Sequence, residues 1–371
     1  MMIASQVESA LTTTEKKMMM MTMTEQQTES NVMCSLQLNL HLEEVVQISD
    51  KSKSGTNSST IIKGPLLGGS NLSPSIRSGS HTDIGARRSN EDQHIGIDDV
   101  SKQLGDVYKW GLPSSFYAIF DGHGGPEAAS YVKDHVTRLF FEDSDLPQTQ
   151  SEESLDDLFL KELQECQSKV FLQADQALLD EDSISDYCGT TALTVFILGK
   201  HVLIANAGDC RAVISRKGVA KQMTQDHRPS YLQEKKRVED LGGYFEDGYL
   251  NGELAVTRAL GDRHMKSPSG SNSKSPLIAE PEMTQWVLSD DDEFMIIGCD
   301  GIWDVMSNKE AVDLVRRQLM HHNDLERCAR ELIDQALRLH TSDNLTAIVV
   351  CFSSQIKPPQ PWRPKFRRSG L

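Results

Sequence analysis

Four aspartates stand at the ends of apolar runs. Asp121 follows Phe116–Phe120, Asp209 closely follows His201–Asn206, Asp300 follows Phe294–Cys299, and Asp343 immediately precedes Asn344–Val350. A half-buried carboxylate costs on the order of several kcal/mol unless it is paired or binds a cation. Hard divalent ions are the simplest compensation for several such groups at once, because Mg²⁺ and Mn²⁺ prefer carboxylate, carbonyl and water oxygens. No Cys/His cluster offers a zinc alternative. Two of the aspartates precede glycine, in Asp121-Gly122 and Asp300-Gly301, where the missing side chain lets a main-chain carbonyl approach an ion. A lone Asp-Gly more often marks only a turn. Phe-Asp-Gly-His-Gly-Gly, Cys-Asp-Gly-Ile-Trp-Asp and Ser-Asp-Asn-Leu-Thr in one chain are harder to dismiss as turns.

The elements that must position these acids are short. Phe116–Phe120, Ala192–Leu198, His201–Ala205, Arg211–Ser215, Phe294–Gly298 and Leu345–Phe352 have strand length and are rich in Val, Ile and Phe. Gly199-Lys200 between two of them predicts a hairpin turn. Helical spacing runs through Ala129, Val132, Val136, Leu139 and Phe140, with Pro126 placed for a first turn, and recurs over Leu155–Leu178, Ala311–Leu319 and Leu325–Leu339. Strands in hairpin-like succession with helices between the groups predict an α+β fold rather than a doubly wound parallel sheet.

The chain has 371 residues and a net charge of −16, from 38 Lys and Arg against 54 Asp and Glu. That balance argues against a protein built to neutralise nucleic-acid phosphate or coat an anionic membrane. Residues 1–80 are dominated by Thr, Ser, Gln and Met, a composition that cannot bury enough apolar area to offset chain entropy, so this segment is expected to be disordered. Residues 354–371 form a basic tail with 5 basic and no acidic residues. Residues 81–353, the expected catalytic domain, hold 27 basic and 47 acidic residues, net −20. No run of roughly 18 apolar residues offers a membrane span. Seven dispersed cysteines (Cys34, Cys166, Cys188, Cys210, Cys299, Cys328, Cys351), no secretory h-region and Met2 where myristoylation needs glycine fit reduced thiols in the cytoplasm or nucleus.

Seven strings in order resemble the metal-dependent Ser/Thr protein phosphatases of type 2C, and among them the plant members. They are Arg87–Asp92, Phe120–Gly125, Gly189–Ala192, Ala207–Ala212, Leu254–Asp262, Cys299–Asp304 and Ser342–Asn344, and the resemblance spans about residues 81–353. It implies a central sandwich of two antiparallel sheets flanked by helices, with a two-metal Mg²⁺ or Mn²⁺ site at one end. By the same resemblance Asp121 bridges the metals, Gly122 offers its carbonyl, Asp300 and Asp343 ligate the other metal, and Glu91 and Asp92 hold metal-bound waters. Asp209 and Asp304 match positions that help bind a third, weaker metal in some relatives. Two metals acidify a water and clamp the displacement at phosphorus, so the implied reaction is hydrolysis of phosphoserine and phosphothreonine in proteins without a covalent enzyme intermediate. His123 is the implied general acid and Arg87 the implied phosphate-binding arginine.

Blander readings sit beside several of these. Arg88, next to Arg87, reads as a solvated surface arginine. Asn344 is expected to orient Asp343 or a metal-bound water, although Asp-Asn also makes turns. Cys210 and Cys299 read as packing. Asp226–Pro229, Gly242-Gly243 and Asn251–Asp262 match the family's flap beside the site. Tyr244–Glu253 contains no tryptophan, which disfavours the hormone co-receptor role that some plant relatives play through a flap tryptophan. Ser267–Ser275 reads as a flexible insertion with Ser-Pro phosphorylation candidates, and Lys365–Arg368 as a solvated basic end. The expected partners are phosphorylated proteins, with no nucleic acid or membrane, and the expected state is a monomer. A catalytically silent phosphoprotein-binding module of the same fold is the alternative, and a two-metal hydrolase of nucleic acid or small phosphoesters a third reading.

Overall fold

A computed structural model describes residues 76–105, 110–142, 145–148, 155–266 and 275–352. The expectations for the segment before Ile76, for Ser267–Lys274 and for the basic tail lie outside these residues. The folded part begins earlier than the boundary drawn at residue 80, because Arg77–Ser80 already pair with Ile348–Cys351.

Six apolar strands form the middle of two five-stranded antiparallel sheets. In one, strands β13 (Glu282–Val287), β7 (His201–Ala207), β6 (Ala192–Leu198), β3 (Ser114–Phe120) and β2 (Gln93–Ile97) lie side by side. In the other the order is β1 (Arg77–Asp83), β15 (Leu345–Cys351), β14 (Asp292–Gly298), β8 (Arg211–Arg216) and β9 (Val219–Gln222). Leu198 faces His201 across Gly199-Lys200, so the expected two-residue hairpin is present. The minor pairs are β12 (Leu260–Gly261) with β5 (Gly189–Thr190), β5 with β4 (Gly122–His123), and β10 (Phe245–Glu246) with β11 (Tyr249–Leu250).

Side chains alternate across a strand, so each central strand feeds two hydrophobic layers. In β3, Tyr117 and Ile119 point between the sheets with Val195, Ile204, Ile297 and Ile348. Phe116, Ala118 and Phe120 point the other way, onto helices α2 (Glu127–Phe141) and α3 (Asp157–Asp180), which follow the short α1 (Val100–Leu104). The outer face of the second sheet packs Phe294, Ile296, Ala347 and Val349 against α5 (Asp300–Trp303), α6 (Asn308–His322) and α7 (Leu325–Arg338). Helix, sheet, sheet and helix therefore make four layers, the α+β sandwich expected. Between β9 and β13 the chain builds a smaller lobe around Val238, Leu250, Val256, Ala259 and Leu277, with α4 (Leu232–Asp240). No helix among the described residues is long and apolar enough to cross a membrane.

Candidate active site and metal centre

Both sheets deliver acids to the same end of the sandwich. Asp121 leaves the last residue of β3, Asp209 lies between β7 and β8, Asp300 opens α5 directly after β14, and Asp343 precedes β15. Asp92 enters from the start of β2, whose Gln93 pairs with Phe120. Carboxylate oxygens of Asp121, Asp209 and Asp300 lie within 4.8 Å of one another, and oxygens of Asp92 and Asp121 lie equally close to the Cys299 sulfur.

Such crowding is electrostatically unfavourable for bare anions. Burial, then Asp92, Asp300, Asp209 and Asp343, push the Asp121 carboxyl well above its usual range. Burial and the same kind of repulsion push Asp300 up to about 8, against the pull of Arg228. Asp92 is pushed up to about 6, chiefly by burial, although Thr346 Oγ1 donates to its Oδ2 at 2.7 Å. Its Oδ1 is buried without a hydrogen-bond partner. An orphaned carboxylate oxygen among anions, in an all-oxygen donor set apart from one thiol, fits a hard divalent cation.

The other expected residues take definite places. Gly122 must be glycine: a Cβ there would stand 2.5 Å from the Glu91 carbonyl oxygen. The Glu91 carboxylate accepts from Ser89 Oγ at 3.0 Å and from the Gly125 amide at 3.2 Å. Arg87 donates to Asp343 Oδ2 at 2.8 Å and to the Ser342 carbonyl at 3.3 Å, while Arg88 is exposed. Asn344 touches Asp343 as expected, its backbone amide donating to Asp343 Oδ1 at 2.7 Å. Its side chain donates to the Ile84 and Ser89 carbonyls and accepts from the Glu91 amide, so it shapes the loop that carries Arg87 and Glu91. Cys210 and Cys299 are fully buried, and burial pushes both thiols well up, as suits packing residues.

Two residues of the site escaped the sequence reading. His123 Nε2 lies 2.8 and 2.9 Å from the two oxygens of Asp262, a residue 1% exposed and held at φ 52°. A buried aspartate in the left-handed region signals a constrained position. Gly189 permits this pair, since a Cβ there would meet Asp262 Oδ2 at 2.2 Å and His123 Nε2 at 2.5 Å. Arg228 reaches in from the Asp226–Pro229 string, donating from Nε to Asp209 at 2.7 Å and from Nη2 to Asp300 at 2.8 Å, and pairing through Nη1 with Asp304 at 2.8 Å.

A four-layer sandwich with crowded, partly exposed carboxylates where its sheets end defines a class of metal-dependent phosphatases. Residues 76–345 match the family described as Protein phosphatase 2C. Probable protein phosphatase 2C 2 of Oryza sativa subsp. japonica is 58% identical over 285 residues, covering 77% of this chain and 74% of its own. Probable protein phosphatase 2C 13 of Arabidopsis thaliana is 54% identical over 299 residues, covering 81% and 76% respectively. A solved serine-threonine phosphatase 2C from Toxoplasma gondii superposes with a TM-score of 0.62 at 23% identity, over 76% of this chain and 96% of that one, a likeness of fold. The chain belongs to the protein phosphatase 2C family: it is a plant-like, metal-dependent serine/threonine protein phosphatase whose substrates are phosphoproteins.

Proposed function

We propose that Asp121, Asp300 and Asp343, with Glu91, Asp92 and the Gly122 carbonyl, hold two Mg²⁺ or Mn²⁺ ions, and that Asp209 and Asp304 contribute to a third, weaker position. The observation that carries this reading is the convergence of the Asp121, Asp209 and Asp300 oxygens to within 4.8 Å. When bound, the dications offset the charge of the phosphoryl group and acidify the water that attacks phosphorus. The chain's own groups do the rest. Arg87, held through Nε by the Ser342 carbonyl and through Nη2 by Asp343, turns the Nη1 edge of its guanidinium to the phosphoryl oxygens. Asp262 holds the His123 ring through Nε2 at 2.8 and 2.9 Å, which leaves Nδ1 as the ring nitrogen for proton transfer to the leaving alkoxide.

The reading extends to the setting. Free cysteines among the described residues and the net charge of −20 over residues 81–353 support a monomeric enzyme of the cytoplasm or nucleus, acting away from membranes and nucleic acids. The test is hydrolysis of a phosphothreonine peptide with and without Mn²⁺, by the wild-type chain and by Asp121→Ala and Asp300→Ala. Each variant is expected to lose at least about 10²-fold in kcat/KM. Full turnover in chelator, or by Asp121→Ala, would remove the two-metal reading.

A further inference from the structure

Arg228 already supplies a cation to half of the acidic cage. Its guanidinium meets three carboxylates at once: Nε donates to Asp209 Oδ2 at 2.7 Å, Nη2 to Asp300 Oδ2 at 2.8 Å and Asp304 Oδ2 at 3.2 Å, and Nη1 pairs with Asp304 Oδ1 at 2.8 Å. This is not a surface side chain that happens to fall there. The neighbouring His227 is fully buried, with its amide donating to the Gly208 carbonyl at 3.0 Å and its Nδ1 accepting from the Gly208 amide at 3.1 Å. Asp226, one residue before His227, accepts from Arg211 Nε at 3.0 Å, and Arg211 in turn donates to Asn308 at the start of α6. The backbone of Arg228 is thereby fastened one residue from Asp209, and its side chain is only 28% exposed.

The N–H groups occupy oxygens that a metal ion would need. The guanidinium's five N–H donors lie in one rigid plane, so separate N–H groups meet the three carboxylates in a fixed arrangement that a rotating ammonium does not hold. We propose that Arg228 is the resident cation of the Asp209–Asp300–Asp304 cage and sets how many divalent ions the protein accepts. An ion enters between Asp209 and Asp304 only by displacing the guanidinium, whereas no hydrogen bond from Arg228 reaches Asp121 or Asp343. This rests on the two-metal reading above but concerns a different outcome, the number and affinity of ions rather than the existence of the centre.

The experiment is an Mn²⁺ binding isotherm for the full chain, by calorimetry and by loss of the free-ion electron paramagnetic resonance signal. Wild type, Arg228→Met, Arg228→Lys and the double variant Arg228→Met with Asp304→Asn are compared. The methionine variant is expected to bind one more Mn²⁺ than wild type, or its weakest Mn²⁺ about tenfold more tightly, and the double variant to lose that gain. The lysine variant, which keeps the charge without the fork, should fall between them, and it decides the matter if the methionine variant does not fold. An unchanged or weaker isotherm in the variants, with wild type binding normally, would overturn the role of Arg228. Absence of Mn²⁺ binding by wild type itself would strike the two-metal reading, and whether Arg228→Met then acquires an ion still judges the cage.

Discussion

His123 and Asp262 are 139 residues apart, yet each gains its meaning from the other. A histidine that must deliver a proton to an alkoxide needs a fixed ring, and Asp262 supplies two acceptor oxygens for one nitrogen. Gly189 keeps the space clear for both. Asp262→Asn leaves the size of the side chain unchanged but removes its charge. It should lower kcat for a phosphothreonine peptide by about 10–100-fold, with a much smaller loss on p-nitrophenyl phosphate, whose leaving group needs no proton. Equal losses on both substrates would assign Asp262 to structure alone. The string ending in Gly261-Asp262 is visible in the sequence, but its partner is not: nothing local announces that a left-handed aspartate will meet a histidine across β4, β5 and β12. Arg228 is hidden for the same reason, since an arginine's long reach leaves no periodic trace. Asp121, Asp209, Asp300 and Asp343, by contrast, are legible because each stands at one end of an apolar run, whereas Glu91, Asp92 and Asp304 are reached only through the family resemblance.

At the scale of elements, the sequence revealed the six central strands and left the four edges unread. The strands β1, β2, β9 and β13 border the two sheets, and none is an apolar run; β1 reads Arg-Ser-Gly-Ser-His-Thr-Asp and is half-buried throughout. Edge strands meet solvent on one side and carry polar residues that keep other chains from pairing, so hydrophobic patterning cannot find them. The lobe between β9 and β13 is equally cryptic, because its order depends on a buried carboxylate. Glu234 of α4, 2% exposed, accepts from Arg258 at 2.7 Å, Arg237 at 2.8 Å and the Thr257 hydroxyl at 2.8 Å, while Arg237 also donates to the Pro276 carbonyl. Burial alone would raise this carboxyl, but Arg258 and Arg237 hold it down to about 2 from 4.5. A depressed acid stabilises the fold fully above the unfolded value of 4.5 and loses that contribution as pH falls through about 2. Glu234→Gln should therefore cost about 3 kcal/mol at pH 7, with the gap to wild type closing as urea unfolding is repeated from pH 5 towards pH 3. A gap that stays constant with pH would mean that packing, not charge, is what the glutamate contributes. The lobe supplies Arg228 at one end and Asp262 within it, so loosening it should reach the site.

For the whole molecule, the total of −16 understates the field around the substrate. Residues 81–353 carry a net −20, and two dications would cancel only a small part of it. With two dications bound as proposed, a phosphoryl group would be drawn to their charge within a surface that stays negative around it. The flanking residues of a substrate meet that surface first. Steering by such a field changes encounter rates by about 10–10³-fold at low salt and fades when the Debye length shortens to about 8 Å at physiological ionic strength. A phosphothreonine peptide flanked by lysines should accordingly show kcat/KM about tenfold above the same peptide flanked by glutamates at low ionic strength. The ratio should shrink towards unity as NaCl is raised to about 0.5 M, with kcat at saturation changing little, because the field acts before the chemistry. Measuring both peptides across a salt series separates this from a specific subsite. A preference that survives high salt would require a defined pocket for the flanking residues, and no preference at low salt would mean that the charge excess is spread where substrates do not approach.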